Sequence, residues 1–297
     1  MSRNINDFVD LCAFEDYLTA QERLLPVLPE VEQLTERVIR ILADNPGKMQ
    51  LQGTNTYIVG TGQARLLIDT GEGKPRWAET IISQAETRQI SFSAVLLTHW
   101  HGDHTGGVSD LLARWPTLQG RIFKNQPDRG QEAITDGQTF AVEGATVRAV
   151  HTPGHSTDHM CFVLEEDDAL FTGDNLLGHG TTAVEDLAAY MATLARMQGL
   201  ACRRGYPGHG ALLHDLRLKL QLELGLKHRR ERQIQAALVA AGRATPAQLV
   251  GAVFGLLPAP VVESVFQPFM TQLLLKLAGE NRVAFEFRGG EKLWFKR

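Results

Sequence analysis

Thr98-His99-Trp100-His101-Gly102-Asp103-His104 follows the apolar run Val95-Leu96-Leu97 and places four potential metal ligands within six residues. An α-helix would splay such a set, because its 3.6-residue period points neighbours in different directions. On a tight loop after a strand the side chains can converge, and Gly102 permits the sharp bend. His99 and His101, two apart, can direct imidazoles to one ion, while the adjacent Asp103 and His104 can turn toward a second. Imidazole and carboxylate donors suit Zn²⁺, with Fe or Mn as alternatives.

Three further loops extend the pattern. Thr152-Pro153-Gly154-His155-Ser156 follows a strand-like run over 146–150. Phe171-Thr172-Gly173-Asp174 ends an apolar strand in an acid, and Tyr206-Pro207-Gly208-His209-Gly210 repeats the Pro-Gly-His motif. Each is weak alone. Together they bring the total to five histidines and two aspartates, enough for two ions with a bridging carboxylate and open positions for water.

Around these loops, short apolar runs alternate with helical spacing. Tyr57-Ile58-Val59 and Leu66-Leu67-Ile68 read as paired strands, and further strands are expected over 121–124, 160–164 and 169–172. Helices are expected over 75–88, with Trp77, Ile81 and Ile82 available for one face, over 108–115 and over 184–197. Residues 1–45 read as mixed and partly helical, with a helix or strand at Val38 to Leu42. Helices interleaved with many short strands indicate an α/β architecture of sheets covered by helices.

Near residue 213 the character changes. His214 to Ala241 is one long helical stretch, Thr245-Pro246 caps another helix, and Pro260 to Ala278 forms a third. Gly289-Gly290 lies between Val283–Phe287 and Lys292–Phe295, a strong hairpin signal. The reading divides the chain into a domain over 1–227 and a winged-helix-like appendage over 228–297. The appendage carries ten Lys and Arg against five Asp and Glu, although the whole chain has a net charge of -4.

The 297 residues suffice for a sizeable core. No apolar run approaches the roughly 20 residues of a bilayer span. Met1 to Asp16 holds four acids and no apolar signal region. Cys12, Cys161 and Cys202 are widely spaced, with no CxxC, and read as free or buried thiols. These features point to an intracellular, cytoplasmic protein with no membrane partner.

The His99–His104 loop, the later Gly-His, the strand-end Asp and the last Gly-His resemble, in that order, the metallo-β-lactamase fold superfamily. The resemblance implies an αββα sandwich. It also implies His99, His101 and His155 as one metal site, Asp103, His104 and His209 as the second, and Asp174 as the bridge. Two Zn²⁺ are expected, with Mn²⁺ as the alternative. No Cys ligand is present, unlike many lactam-cleaving members. The acid at the position of Asp103 is also credited in the family with proton transfer, which makes Asp103 the expected catalytic residue.

Asn45-Pro46-Gly47, Leu51-Gln52-Gly53-Thr54-Asn55-Thr56-Tyr57 and Val184-Glu185-Asp186-Leu187 are similar to the lactamase-like protein 2 branch. Lys124-Asn125-Gln126-Pro127-Asp128, the stretch His151 to Asp174 and the longer N-terminal segment are similar to fungal atrochrysone carboxyl ACP thioesterases. Such enzymes serve polyketide synthases that lack a releasing domain of their own. The likeness implies hydrolysis of a polyketide acyl thioester held on the acyl carrier protein domain of a non-reducing synthase. The alternative is a single-strand-specific endoribonuclease, an activity of relatives in the same branch. The tail lacks an RNP-type or KH-type signature, so nucleic acid is not the expected partner. The basic tail would instead receive an acidic carrier protein.

Around the site, Asp69 could orient a ligand histidine. His179, Thr181 and Thr182 read first as caps of the helix near Val184, with facing the cleft as the alternative, and His151 and His159 read as structural histidines. Tyr57 and Trp100 could line an acyl pocket or pack in the core.

Overall fold

A computed structural model describes residues 25–297. Met1 to Asp16, Cys12 and the first part of the mixed segment 1–45 lie outside the described residues.

Short, mostly apolar runs, several buried at every residue, build two sheets. The first runs in chain order through β1 (Val31–Gln33), β2 (Val38–Leu42), β3 (Asn55–Val59), β4 (Ala64–Ile68), β5 (Ser91–Leu96), β6 (Ile122–Lys124) and β7 (Glu132–Ala133). Its first four strands pair antiparallel, with Ile58 opposite Leu67, and the remainder pair parallel. The second sheet runs β12 (Arg204–Pro207), β11 (Ala169–Gly173), β10 (Met160–Leu164), β9 (Ala145–His151), β8 (Thr139–Val142). Val38 to Leu42 is thus a strand. The sequence reading missed β1, β7, β8 and β12, which are short or, as in Arg204-Gly205-Tyr206-Pro207, lack an apolar run.

Successive side chains of a strand point to opposite faces. Met160, Phe162 and Leu164 therefore meet Tyr57, Ile68 and Leu96 between the sheets. Cys161 and Val163 face outward against α4 (Leu187–Gly199). On the far side of the first sheet, α1 (Pro75–Thr87) buries Trp77, Ile81 and Ala85 against Ile39, Ile41 and Val95. The small helix α2 (Gly102–Thr105) and α3 (Val108–Arg114) follow β5 on the same side. The layers are helix, sheet, sheet, helix.

The C-terminal part continues from the second helical layer. Helix α5 (Leu216–Ala241) passes without a break through residues 227 and 228, and Leu216, Leu220, Ile234 and Leu238 share one apolar cluster with α4. Thr245 and Gln248 form a capping box at α6 (Pro246–Phe254). The third helical segment is present and runs continuously as α7 (Ala259–Val261), a π stretch over Val262–Phe266 and α8 (Gln267–Gly279). The hairpin β13 (Val283–Arg288) and β14 (Glu291–Lys296) turns at Gly289 and Gly290, both at positive φ. Among the described residues no single helix is long and apolar enough to cross a membrane.

Candidate metal centre

Strand ends supply most of the site. Thr98 and His99 leave β5, His101 caps α2, and Asp103 and His104 lie in its single turn, so the His99–His104 stretch is half loop and half helix rather than all loop. His155 sits in the turn between β9 and β10, Asp174 follows β11, and His209 follows β12. The seven side chains converge at one end of the two sheets. His99, His101, His155 and Asp174 form one group of mutually close ligand atoms, and Asp103, His104 and His209 form another.

The hydrogen bonds around the first group assign its protons. Thr98 Oγ1 donates to Asp69 Oδ2 at 2.9 Å, so toward His99 Nδ1, also 2.9 Å away, it can only accept. His155 Nδ1 donates to Ala183 O at 2.8 Å. Both Nε2 atoms therefore point inward, 3.2 Å apart. His101 Nδ1 lies 2.8 Å from His99 Nε2 and 3.1 Å from His155 Nε2. Burial holds His99 well below the usual histidine range and His101 down at about 4, so neither is charged near neutrality. Three ring nitrogens thus converge to within 2.8–3.2 Å of one another, a spacing and donor type that suit a cation.

The second group is built the same way. His104 Nδ1 donates to Asp69 Oδ2 at 2.8 Å, and His209 Nδ1 faces Gly53 O at 3.4 Å. Their Nε2 atoms meet at 3.3 Å, with Asp103 Oδ2 3.3 Å from that of His209. Burial opposes charge on both rings. Nearby carboxylates, Asp174 foremost, outweigh it, raising His104 well above its ordinary value and His209 to about 9. Burial likewise works against ionised Asp103 and Asp174, and the same two histidines overcome it and hold both carboxyls low.

Asp174 lies between the groups. Its Oδ1 is 3.3 Å from His104 Nε2, and its Oδ2 is 3.4 Å from His209 Nε2 and 3.6 Å from His155 Nε2. Oδ1 is buried and receives no hydrogen bond. Five imidazoles, two carboxylates and an orphaned carboxylate oxygen fit a divalent transition-metal ion.

Supporting contacts hold this end together. Asp69 accepts from Thr98 N and Oγ1 as well as from His104, and so fixes the orientation of the His104 ring. Asn55 Nδ2 donates to Pro207 O and Gly210 O, both at 2.9 Å, and clamps the His209 loop. Lys124 Nζ, buried, donates to Asp158 Oδ2 at 2.9 Å and to Gln126 O at 2.6 Å, while Asp158 also accepts from Ser156 Oγ. Gly208 is required by closeness: a Cβ there would sit 2.3 Å from Asp174 Oδ1.

His159 is buried and neutral, and its Nε2 accepts from the Asp174 N–H at 3.1 Å. His151 binds Thr157 O. Tyr57 packs on Phe171 and Tyr206 in the core and donates to Pro207 O, so it lines no acyl pocket. The Trp100 ring lies against His101, outside the pocket lining. Thr181 and Thr182 do not cap a helix. Asp186 caps α4, accepting from Ala189 N, and Thr182 Oγ1 lies 2.9 Å from His155 Nδ1. The sequence reading missed Gln50, whose amide reaches Asp103 Oδ2 at 3.4 Å; no local motif marks it.

The pocket over the cluster is walled by residues 48–51 on one side and 179–183 on the other. His101, Asp103, His155, Asp174 and His209 form its floor.

The model of the metallo-beta-lactamase superfamily matches residues 50–229, which include all seven clustered residues. The chain is 54% identical to an "Atrochrysone carboxyl ACP thioesterase" of Aspergillus fumigatus, covering 98% of this chain and 96% of that protein. It is also 54% identical to a lactamase-like protein of Pestalotiopsis fici, over 99% of this chain and 96% of that one. Among solved structures, a beta-lactamase domain protein from Burkholderia ambifaria superposes with a TM-score of 0.71 over 92% of this chain and 97% of its own. At 19% identity that likeness speaks for the fold.

Proposed function

This chain belongs to the metallo-beta-lactamase superfamily, and we propose that it is a thioesterase releasing a polyketide acid, of the atrochrysone carboxylic acid type, from an acyl carrier protein. The carrier would be a domain of a non-reducing polyketide synthase that lacks its own thioesterase. The observation that carries the substrate class is the 54% identity to the Aspergillus fumigatus thioesterase over 98% of the chain.

His99, His101 and His155 would hold one ion, Asp103, His104 and His209 the other, with Asp174 between them. The donor set suits two Zn²⁺, with Mn²⁺ as the alternative. When bound, such ions supply a polarised substrate carbonyl and a water with its pKa lowered toward about 7. The chain's own groups do the rest. Asp69, through His104, and Ala183, through His155, fix which ring nitrogen faces inward. Asp103 faces the pocket, serves first as a ligand, and takes the catalytic role of moving the proton. The thioester leaving group is a thiolate whose conjugate acid has a pKa of about 8.5, so it departs with little help from a general acid. This suits a floor whose carboxylates are held ionised.

We assign residues 1–227 to the hydrolase domain and 228–297 to a winged-helix-like C-terminal region, the two sharing the unbroken helix α5. The free thiols of Cys161 and Cys202 suit a reducing compartment, in keeping with reaction in the cytoplasm. The test offers the purified protein an acyl-carrier thioester and single-stranded RNA, each with and without chelator. Hydrolysis of the thioester that chelator abolishes is expected. Cleavage of RNA with the thioester left intact would replace this reading with the endoribonuclease.

A further inference from the structure

Helix α5 has an unusual outer face. Its inner face buries Leu216, Leu220, Glu223, Lys227, Glu231, Ile234 and Leu238. On the opposite side Leu218, Leu222 and Leu226, four residues apart, are 50%, 57% and 52% exposed. The 3.6-residue period continues this line to Arg229 and Arg232, with Arg217 beside its start. These three arginines are exposed and have no ion-pair partner among the described residues. Within the helix the only carboxylates are Glu223 and Glu231, both buried and both paired with cations, and the exposed Asp215 at its start is engaged as the N-cap of Leu218 N.

Elsewhere the positive charge of the tail is largely committed. Lys276 and Arg282 bind Glu231, Arg243 binds Glu286, and Arg230 stacks on Phe254. Of the cations left without a carboxylate partner, Arg229 and Arg232 lie beside the exposed leucines, while Lys292, Lys296 and Arg297 lie on the terminal hairpin. The face also adjoins the mouth of the site, because Lys219 in its first turn donates to Gly180 O at 3.0 Å and Gly180 lines the pocket.

We propose that Leu218, Leu222 and Leu226, flanked by Arg217, Arg229 and Arg232, seat the carrier protein that presents the thioester, through an acidic helix with an apolar ridge. Leucines give the contact a desolvated centre, and the arginines at its rim select an acidic partner and speed its arrival. The expected basic docking surface is thus one helix face beside the pocket rather than the tail as a whole. This inference rests on the thioesterase reading.

The test compares native protein with the Leu222→Glu/Arg229→Glu variant on two substrates, the acyl group on the carrier protein and the same acyl group on N-acetylcysteamine. Binding of the carrier protein is measured in parallel by calorimetry. The expected result is a fall of about tenfold or more in kcat/KM for the carrier-bound substrate, through KM, with turnover of the small thioester unchanged. Carrier binding should weaken equally. Unchanged carrier binding, or an equal fall on both substrates, overturns the proposal. So does loss of a native dimer in the variant, which would give the face to a second copy. A native protein that binds the carrier through this face yet hydrolyses neither thioester would refute the thioesterase reading instead.

Discussion

Asp69 accepts the His104 Nδ1–H at 2.8 Å from a backbone held in the left-handed region, at φ 58°. Asp and Asn tolerate that conformation better than other side chains, because their short polar groups bond locally. The residue is thus fitted to its place both by its backbone and by its carboxylate, which also anchors Thr98.

Asp69→Asn keeps the backbone preference and removes the charge. We expect affinity for the ion at His104 to fall about 10- to 100-fold, with the far-ultraviolet circular dichroism preserved. Equilibrium dialysis against graded Zn²⁺ measures it, and native affinity in the variant would show that the carboxylate has no part in orienting His104.

His101→Ala and Asp174→Ala remove one inward nitrogen and the carboxylate between the groups. Each should abolish thioester hydrolysis while leaving the melting profile of the metal-free protein close to native. Metal content per chain, measured by elemental analysis, should drop in both. Undiminished turnover in either would refute the ligand assignment.

Lys124→Met leaves Asp158 buried and unpaired. Breaking a buried pair from one side costs about 3–5 kcal/mol. Denaturant melts should record a loss of that order, and Lys124→Met/Asp158→Asn should recover part of it. If the double variant is no more stable than the single one, the Asp158 charge is not the source of the cost.

Burial pushes the Cys161 thiol up to about 12 and Cys202 to about 11. In a Cys12→Ser background, neither should react with iodoacetamide at pH 8 until the chain is unfolded. The sign for stability follows. The unfolded chain loses these protons near pH 8.5, the folded one only higher. Their contribution is therefore complete below the unfolded value and is lost as pH rises toward 11 and 12. Rapid labelling of the native protein at pH 8 would contradict this.

The convergence of His99, His101, Asp103 and His104 was legible because it is local, a matter of spacing after a strand. Asp174 and His209 carried little weight alone, and only their order along the chain gave them meaning. Asn55 and Lys124 stood in stretches recognisable by likeness. Their work depends on contacts with Pro207 and Asp158, distant in sequence, which no local pattern encodes. Of the two readings of Thr182, the cap ranked first because a hydroxyl residue before a helix is a common cap signal, but the cleft-facing one holds. Asp186, nearer the first turn, takes that position, leaving Thr182 beside His155. β12 escaped notice because parallel pairing with β11, rather than its own composition, makes Arg204–Pro207 a strand.

Asn55 reaches across 152 residues of sequence to Pro207. Contacts so remote form only after the intervening chain has been gathered in, at a cost in loop closure. A nascent polypeptide emerging from the ribosome consequently has no hydrolytic centre until its first 210 residues are clear of the exit tunnel. The cluster therefore assembles late in synthesis, once the two sheets have met.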